Sequence, residues 1–383
     1  MKGNRKMKVL HINCNYIGTA LHQLMIQELD RQGIENAVFA PTYDKNIAVI
    51  TPNDNVIISE CFKKRDRLFF DYKQKKILKA IEESYDIENF DLIHAYTLFT
   101  DGNVARILSE KYGIPYVVAV RNTDVNVFFK KRVLLRARGE EILLSASKIF
   151  FLSESYQETV FEQYISKKCQ RKIKNKVEII PNGIDSFWFE NIFRKRNYTE
   201  INQRIRKKRL KLLYVGNVDK NKNVMLTCKA INLLKKDNWK IEFTVVGKIR
   251  DKSVYNSIKD QVRYISPKPK EKLINIYRMS DVFVMPSISE SFGLVYVEAM
   301  TQGLPVIYTQ GQGFDGQFSE GKVGYSVDAK NPASIVEAIK KITKLYENIS
   351  KNTVICAEKF NWKKICEIYN QIYDCLVSQT IEG

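Results

Sequence analysis

The chain has 383 residues, 44% hydrophobic and 27% charged, which is typical of a globular protein with two domains. Its formal net charge of +19 favours an acidic partner, either anionic lipid headgroups or nucleic acid. Seven scattered cysteines without a Cys-x-x-Cys pair indicate a reducing compartment and argue against a metal framework.

The N-terminus is basic, but the apolar run that follows it ends at Asn13. That run is too short for a signal peptide or a membrane-spanning helix, so we expect a cytoplasmic protein. The sequence shows no helix-turn-helix, zinc-finger or aromatic RNA-binding pattern, which makes nucleic acid the less favoured partner.

The first half of the chain alternates short apolar runs with helical patterns. Strands are predicted at residues 8–12, 37–41, 56–59, 91–95, 115–120 and 148–153, and helices at 19–31 and 102–112. The loop at 13–18, which contains Gly18, follows the first strand. In doubly wound sheets ligands bind at the carboxyl ends of strands, so this loop is a candidate ligand contact.

Two stretches of the first half are rich in cations and aromatic or aliphatic residues. They cover residues 62–81 and 128–144. Each is typical of an amphipathic surface helix, and each also has the composition of a segment that lies in a membrane interface with its cations toward the headgroups. The sequence leaves both interpretations open.

A tight turn around Asn182 and Gly183 marks the predicted domain boundary. Residues 194–211 follow with a run of like charges, and we predict that this run is a solvated linker. The second half again alternates, with strands predicted at 211–216, 240–247, 262–265, 281–285 and 305–308 and helices at 270–279, 332–346 and 362–377. A glycine-rich loop at 311–316 is expected to line the ligand-binding cleft.

The stretch at 286–300 carries the main chemical signal. It runs from a buried strand through Ser291, Phe292, Gly293 and Leu294 into a helix. The free N–H groups at 291–295 and the positive end of the helix dipole predict an anion site. Two carboxylates, Glu290 on the loop and Glu298 one turn into the helix, would accept hydrogen bonds from hydroxyl groups on either side of a bound diphosphate.

This arrangement resembles the Glu-x7-Glu signature of retaining glycosyltransferases of family 4. The resemblance rests on Glu290-Ser-Phe-Gly293 and on the segment 298–305, and it extends to the strand at 91–95 and the turn at 181–185. It implies an α/β protein of the GT-B fold, with two Rossmann-like doubly wound domains facing a cleft. The N-terminal, acceptor-binding domain would cover 1–186 plus a crossing helix at about 360–383, and the donor-binding domain 187–359.

The resemblance also implies roles for individual residues. Those expected to contact the donor are Gly216, Asn217, Lys222, Gly247, Tyr264, Ile265, Ser291, Phe292, Gly293, Leu294, Glu298 and Gly18. Those expected in catalysis are Glu290, Asp124, Arg121 and Lys222. Arg121 stands where many members have histidine, and Asn217 stands where they have arginine. Core packing is an equally good interpretation of Tyr264.

The implied activity is transfer of a sugar, with retention, from a nucleotide-diphosphate sugar to a saccharide acceptor. No Asp-x-Asp pair occurs, so we expect no metal and no cofactor besides the donor. The basic charge favours a lipid-linked acceptor at an anionic membrane surface, as in capsule or lipopolysaccharide synthesis. Two alternatives remain: a catalytically silent GT-B partner subunit, and a nucleotide-sugar epimerase of the same fold.

Overall fold

The computed structural model describes residues 6–17, 19–44 and 55–382, and it divides the chain into two compact units. Unit 1 contains Met1–Gly183 together with Trp362–Gly383, and unit 2 contains Ile184–Asn361. Each unit is an α/β structure around one parallel sheet. This architecture, two doubly wound domains of the GT-B type, is the fold that the sequence predicts.

The sheet of unit 1 has seven parallel strands in the order β3-β2-β1-β4-β5-β6-β7. The strands are β1 Lys8–Ile12, β2 Glu35–Pro41, β3 Val56–Ser59, β4 Leu92–Ala95, β5 Tyr116–Ala119, β6 Lys148–Phe151 and β7 Val177–Ile179. The helices are α1 Leu21–Arg31, α2 Phe70–Ser84, α3 Thr100–Tyr112, α4 Arg136–Ser145, α5 Glu154–Tyr164, α6 Lys167–Ile173 and, at the end of the chain, α15 Trp362–Glu382.

Both faces of this sheet are buried, which explains why its strands are near-continuous apolar runs. Neighbouring residues alternate between two hydrophobic clusters: Leu10 belongs to one and Val9 to the other. The second cluster contains Trp362, Tyr369 and Tyr373 of α15. The C-terminal helix is therefore part of the core of unit 1.

The sheet of unit 2 has six parallel strands in the order β10-β9-β8-β11-β12-β13. The strands are β8 Arg209–Val215, β9 Lys240–Val246, β10 Arg263–Ile265, β11 Val282–Val284, β12 Val306–Thr309 and β13 Gly324–Val327. The helices are α7 Ser186–Glu190, α8 Tyr198–Arg206, α9 Val224–Lys236, α10 Lys252–Ile258, α11 Lys270–Arg278, α12 Leu294–Thr301, α13 Pro332–Lys344 and α14 Tyr346–Ala357.

Strand order reverses at one point in each sheet, between β1 and β4 in unit 1 and between β8 and β11 in unit 2. The connections after these strands diverge to opposite faces and leave a crevice at the carboxyl edge, where ligands of such folds bind. In unit 2 this edge carries Gly216 after β8 and the 286–293 loop after β11. The topology thus brings together segments that are about seventy residues apart in sequence.

The predicted solvated linker at 194–211 is wrong. Residues 198–206 form α8, and β8 begins at Arg209. Arg196 is buried and donates to the carbonyl oxygens of Gln302, at 2.8 Å, and Ser280. Arg204 forms an ion pair with the buried Asp281 at 2.6 Å. Part of the charge run is therefore held by long-range partners that no local pattern reveals.

Three predicted helices differ from the observed ones. The 62–81 segment contains a 3₁₀ turn at Lys64–Leu68 before α2 begins. The 128–144 segment is not continuous, because Arg132 leaves the helical region between a π-helical turn that ends at Phe129 and a short 3₁₀ turn before α4. The helix expected at 332–346 ends at Lys344, and α14 starts separately. Within the described part of the chain, no helix is long and apolar enough to cross a membrane.

Candidate active site

Two loops of unit 2 are fastened together at the carboxyl edge of its sheet. Asn221, after β8, donates from Nδ2 to the carbonyl of Ser289 at 2.9 Å and accepts from the Ser289 N–H at 3.1 Å. Asn223 adopts a left-handed φ of 55° and donates to the carbonyl of Pro286 at 3.1 Å. Asparagine tolerates this backbone region better than most residues. These contacts hold the chain on both sides of Lys222 against the loop after β11.

Lys222 and Glu290 form an ion pair between these loops, with side-chain exposures of 21% and 10%. Glu290 is further held through its backbone. Its N–H donates to Oε1 of Gln312 at 2.8 Å, and its carbonyl accepts from the N–H of Gly313 at 3.1 Å. The two predicted catalytic residues of unit 2 are therefore in direct contact, and the glycine-rich loop lies against them.

Gly313 is needed for that close approach. A Cβ at this position would lie 1.7 Å from the carbonyl oxygen of Ser291. Any other residue would push the glycine-rich loop away from the loop that carries Glu290.

Gly293 is the N-cap residue of α12 and has a φ of +79°. Gly293 provides no capping side chain, and its left-handed φ favours glycine. The N–H groups in the first turn of this helix therefore have no hydrogen-bond acceptor from a capping side chain, and such uncapped N–H groups can bind an anion. The sequence predicts that the N–H of Ser291 is free, but in the structure it donates to Oε1 of Glu290 at 3.2 Å. Leu294 is the first residue of α12 and is only partly buried.

Phe292 does not present its side chain to a ligand. It is 1% exposed, and its ring packs edge-on against Phe360 at 5.5 Å. Its predicted contribution to donor binding is thereby limited to its backbone, while the ring anchors the loop in the core of unit 2.

Glu298 lies on α12 and accepts a hydrogen bond from the hydroxyl of Tyr277 at 3.0 Å. Burial raises the pKa of this carboxyl to about 7, which the Tyr277 hydrogen bond opposes and the nearby Asp185 carboxylate increases. A group of this kind exists in both protonation states near neutral pH, and hydrogen-bond donors from a ligand would favour the ionised one. Tyr277 was not predicted from the sequence, since its link to Glu298 spans two helices.

Gly216 and Gly247 lie back to back at the ends of β8 and β9. A Cβ on Gly247 would be 1.8 Å from the carbonyl oxygen of Gly216. Gly247 also donates its N–H to the carbonyl of Ile265 at 3.0 Å. The glycines thus bring the ends of β8, β9 and β10 close together, and Ile265 is placed beside them.

Tyr264 and Asn217 are tied into the same edge. The Tyr264 hydroxyl donates to the carbonyl of Gly247 at 2.9 Å, and its ring contacts Tyr255 edge-on at 5.0 Å. These contacts favour the packing interpretation of Tyr264. Asn217 is exposed, and its carbonyl accepts a hydrogen bond from the buried Tyr214 at 2.5 Å. Among the described residues, the Asn217 side chain forms no hydrogen bond.

In unit 1, Asp124 is fully buried and bound to the backbone. Its carboxylate accepts from the N–H groups of Leu98 at 3.0 Å, Phe99 at 3.1 Å and Arg121 at 2.8 Å. Burial raises the pKa of Asp124 to about 6, and these amide bonds oppose that rise. Asp124 therefore holds the start of α3 against the loop after β5, which makes it a positioning residue in this structure.

Arg121 is half-buried and donates from Nη1 to Oδ1 of Asn182 at 3.2 Å. Its buried Nε has no hydrogen-bond partner among the described residues. This orphaned donor is a feature that an incoming oxyanion would satisfy. Gly18, the remaining predicted contact, lies outside the described residues.

The sequence missed a buried polar cluster in unit 1, at the carboxyl ends of β1 and β4. Asp101 accepts from the N–H of Cys14 at 3.1 Å and from the hydroxyl of Thr97 at 2.9 Å, and burial raises the pKa of Asp101 to about 7. The three histidines of the chain, His11, His22 and His94, are also buried in this unit. The sequence pattern does not predict their burial, because the side chains that surround each histidine come from other strands and helices.

Among the described residues, no group of three or more His, Cys, Asp or Glu side chains is placed to hold a metal ion. The predicted anion site offers the partial positive charges of backbone N–H groups and the full charge of the Lys222 ammonium group.

Each unit of the chain matches the model of a known protein family. The family model described as "Glycosyltransferase Family 4" matches residues 23–186, and the model "Glycosyl transferases group 1" matches residues 197–355. A D-inositol 3-phosphate glycosyltransferase of Paenarthrobacter aurescens is 25% identical over 309 residues, which cover 76% of this chain and 74% of that protein.

Solved structures resemble the whole chain. Sucrose-phosphate synthase from Thermosynechococcus elongatus has a TM-score of 0.76 at 18% identity and covers 98% of this chain and 100% of its own. The Anabaena protein HepE, solved in complex with UDP and glucose, has a TM-score of 0.66 at 16% identity and covers 96% of this chain and 100% of its own. At these identities the structural likeness establishes a common fold.

Proposed function

We propose that this chain is a glycosyltransferase similar to those of family 4, and that it transfers a sugar from a nucleoside-diphosphate sugar to a saccharide acceptor with retention of configuration. The observation that carries the proposal is the Lys222–Glu290 pair beside the N-terminus of α12. A cation and a helix end on one side of a crevice suit a diphosphate, and carboxylates suit the hydroxyls of the attached sugars.

The proposed arrangement gives each group one task. The diphosphate lies on the first-turn amides of α12, and Lys222 stabilises the charge that develops on the leaving phosphate. Glu298 accepts hydroxyls of the ribose, and Glu290 accepts hydroxyls of the transferred sugar. We assign no metal to this reaction because the lysine and the helix dipole supply the positive potential. Removing one such preorganised contact typically slows a reaction roughly 10²–10³-fold.

The acceptor we propose is lipid-linked, as in assembly of capsule, lipopolysaccharide or another surface polysaccharide. This part rests on the net charge of +19, which favours work at an anionic membrane surface. The resemblance to HepE, solved with UDP and glucose, makes UDP-glucose the first donor to examine.

The test is thermal unfolding of the protein with UDP, GDP, ADP or CMP and with the corresponding sugar nucleotides. A ligand at about a hundred times its dissociation constant adds roughly 2.7 kcal/mol of stability. We expect one base to raise Tm and expect Glu298→Ala to abolish the rise. Glu271→Ala is the matched control, since Glu271 is exposed on α11.

If no nucleotide or sugar nucleotide shifts Tm, the donor site is not functional and the protein is instead a catalytically silent partner subunit. If a nucleotide binds but the sugar is exchanged for its epimer without any acceptor, the epimerase alternative replaces the transferase.

A further inference from the structure

The two basic stretches of unit 1, separate in sequence, meet in space. Arg132 donates from Nη2 to the carbonyl oxygen of Arg67 at 2.9 Å. The rings of Phe70 and Phe128 are in edge-on contact at 6.1 Å, and the Arg132 guanidinium lies 5.4 Å from the Phe128 ring centre. Residues 63–72 and 127–134 therefore form one continuous surface, which we call the basic–apolar patch.

Large apolar side chains project from this patch into solvent. Leu134 is 97% exposed and Leu68 is 74% exposed. The other members that are more than half exposed are Phe69, Tyr72 and Val133. Single exposed apolar residues are ordinary on protein surfaces, but five in two adjoining segments are a cluster that marks an interaction site.

Cations surround these side chains. The exposed ones within the patch are Lys63, Lys64, Arg65, Arg67, Lys130 and Lys131. Two acids lie in the same segments: Asp66 is buried and paired with Lys76 at 2.7 Å, and Asp71 is exposed at the start of α2. The exposed charge of the patch is therefore strongly positive.

We propose that this patch docks unit 1 on an anionic lipid bilayer, with Leu68, Phe69, Val133 and Leu134 inserted at the headgroup level and the cations paired with lipid phosphates. Apolar side chains at the tip with cations around them match the layering of a bilayer surface, in which anionic headgroups cover an apolar interior. Nucleic acid would use the cations but would leave aliphatic Leu68 and Leu134 in water.

The patch is distinct from the donor site, which lies in unit 2, and its use requires no nucleotide sugar. Failure of membrane docking is therefore distinguishable from failure of the proposed transfer reaction.

The experiment is sedimentation of the full chain with lipid vesicles, either pure phosphatidylcholine or a mixture with phosphatidylglycerol. We expect binding to the mixed vesicles, weakened by high salt, and little binding to neutral ones. Lys130→Gln with Lys131→Gln should weaken binding by about fivefold for each cation. Leu68→Ser with Leu134→Ser should weaken it by roughly tenfold or more.

Matched controls come from unit 2. Ile355 is 70% exposed, so Ile355→Ser tests loss of an exposed apolar side chain elsewhere, and Lys235→Gln with Lys236→Gln tests loss of two exposed charges. Both controls should bind vesicles like the wild-type chain. Equal binding to neutral and anionic vesicles, or unchanged binding of the patch variants, would overturn the proposal. Binding of a short random DNA duplex that depends on the patch, without vesicle binding, would replace lipid by nucleic acid as the partner.

Discussion

Lys222 and Glu290, 68 positions apart in sequence, form an ion pair at the carboxyl edge of the unit 2 sheet. Neither side chain is more than a quarter exposed, so each would be a poorly solvated charge without the other. In the proposed function, a bound donor would replace this internal pairing with contacts to phosphate and sugar. The pair holds both side chains close to the positions that we propose for them.

The first prediction concerns this pair. Lys222→Met should weaken binding of the nucleoside-diphosphate sugar and lower kcat by roughly 10²–10³-fold, because it removes the cation proposed beside the leaving phosphate. Glu290→Gln should lower kcat more than it weakens donor binding. Steady-state kinetics and donor titration separate the two effects. Lys220→Met, an exposed neighbour on the same loop, is the control, and unaltered kinetics in both main variants would refute the site assignment.

The second prediction is a pH dependence of donor binding. Burial raises the pKa of Glu298 to about 7, so this carboxyl is mostly ionised, and best able to accept ribose hydroxyls, only above that pH. The dissociation constant of the donor should therefore rise roughly tenfold between about pH 8 and about pH 6. Titration calorimetry of the sugar nucleotide measures this, and Glu298→Gln should give a flat profile. A wild-type profile as flat as that of the variant would show that Glu298 does not contact the donor.

The third prediction tests the contact between Gly247 and Gly216. Gly247→Ala should destabilise unit 2 by about 3 kcal/mol or more, since the new Cβ would lie 1.8 Å from the carbonyl oxygen of Gly216. Gly113→Ala is the control, because Gly113 also has positive φ but no atom lies within 4 Å of its added Cβ. That control should cost only about 1 kcal/mol. Hydrogen exchange of the β8 and β9 amides reports the cost of the first substitution, and exchange of the α3 and β5 amides in unit 1 reports the cost of the control. Equal costs would exclude the clash as the cause.

The fourth prediction addresses the segment before β8. Arg196→Met should destabilise unit 2 by about 2–4 kcal/mol, because it removes charge-assisted hydrogen bonds to the buried carbonyls of Gln302 and Ser280. Arg206→Met, an exposed cation of the same charge run, should leave stability within about 0.5 kcal/mol of wild type. Urea unfolding compares the two, and similar values would restore the interpretation of this run as a solvated linker.

The fold was largely predictable from the sequence because its strands are buried on both faces. Runs such as Lys8–Ile12 and Tyr116–Ala119 are marked by their nearly continuous apolar residues. Tertiary partners decided the rest. The run of charges before β8 is ordered by Gln302, Ser280 and Asp281, which no local pattern connects to it.

The sequence predicted which residues lie at the carboxyl edge of the unit 2 sheet. It did not predict the contacts that these residues make with one another. The Glu290 and Glu298 spacing follows from a loop and one helical turn, which sequence can show. The Lys222–Glu290 pair and the Tyr277–Glu298 hydrogen bond depend on strand order, which juxtaposes distant segments. The burial of Asp124 against three backbone amides was equally invisible, because it depends on how the start of α3 meets the loop after β5.

The way the chain returns to unit 1 has a consequence for its synthesis. Gly183 ends the first part of this unit and Trp362 begins the second, and a Cβ on Gly183 would lie only 2.5 Å from the indole ring. Inside unit 2, Ile184 and Asn361 form a β-bridge, so the two ends of that unit are held side by side. Unit 2 is thus an insertion that can close as soon as residue 361 leaves the ribosome. Unit 1 begins first but finishes last, since its core lacks Tyr369 and Tyr373 until the final helix is made. The usual N-terminal-first order of folding is reversed at completion, and a chain that stops at residue 361 would have a complete unit 2 and an open, aggregation-prone unit 1.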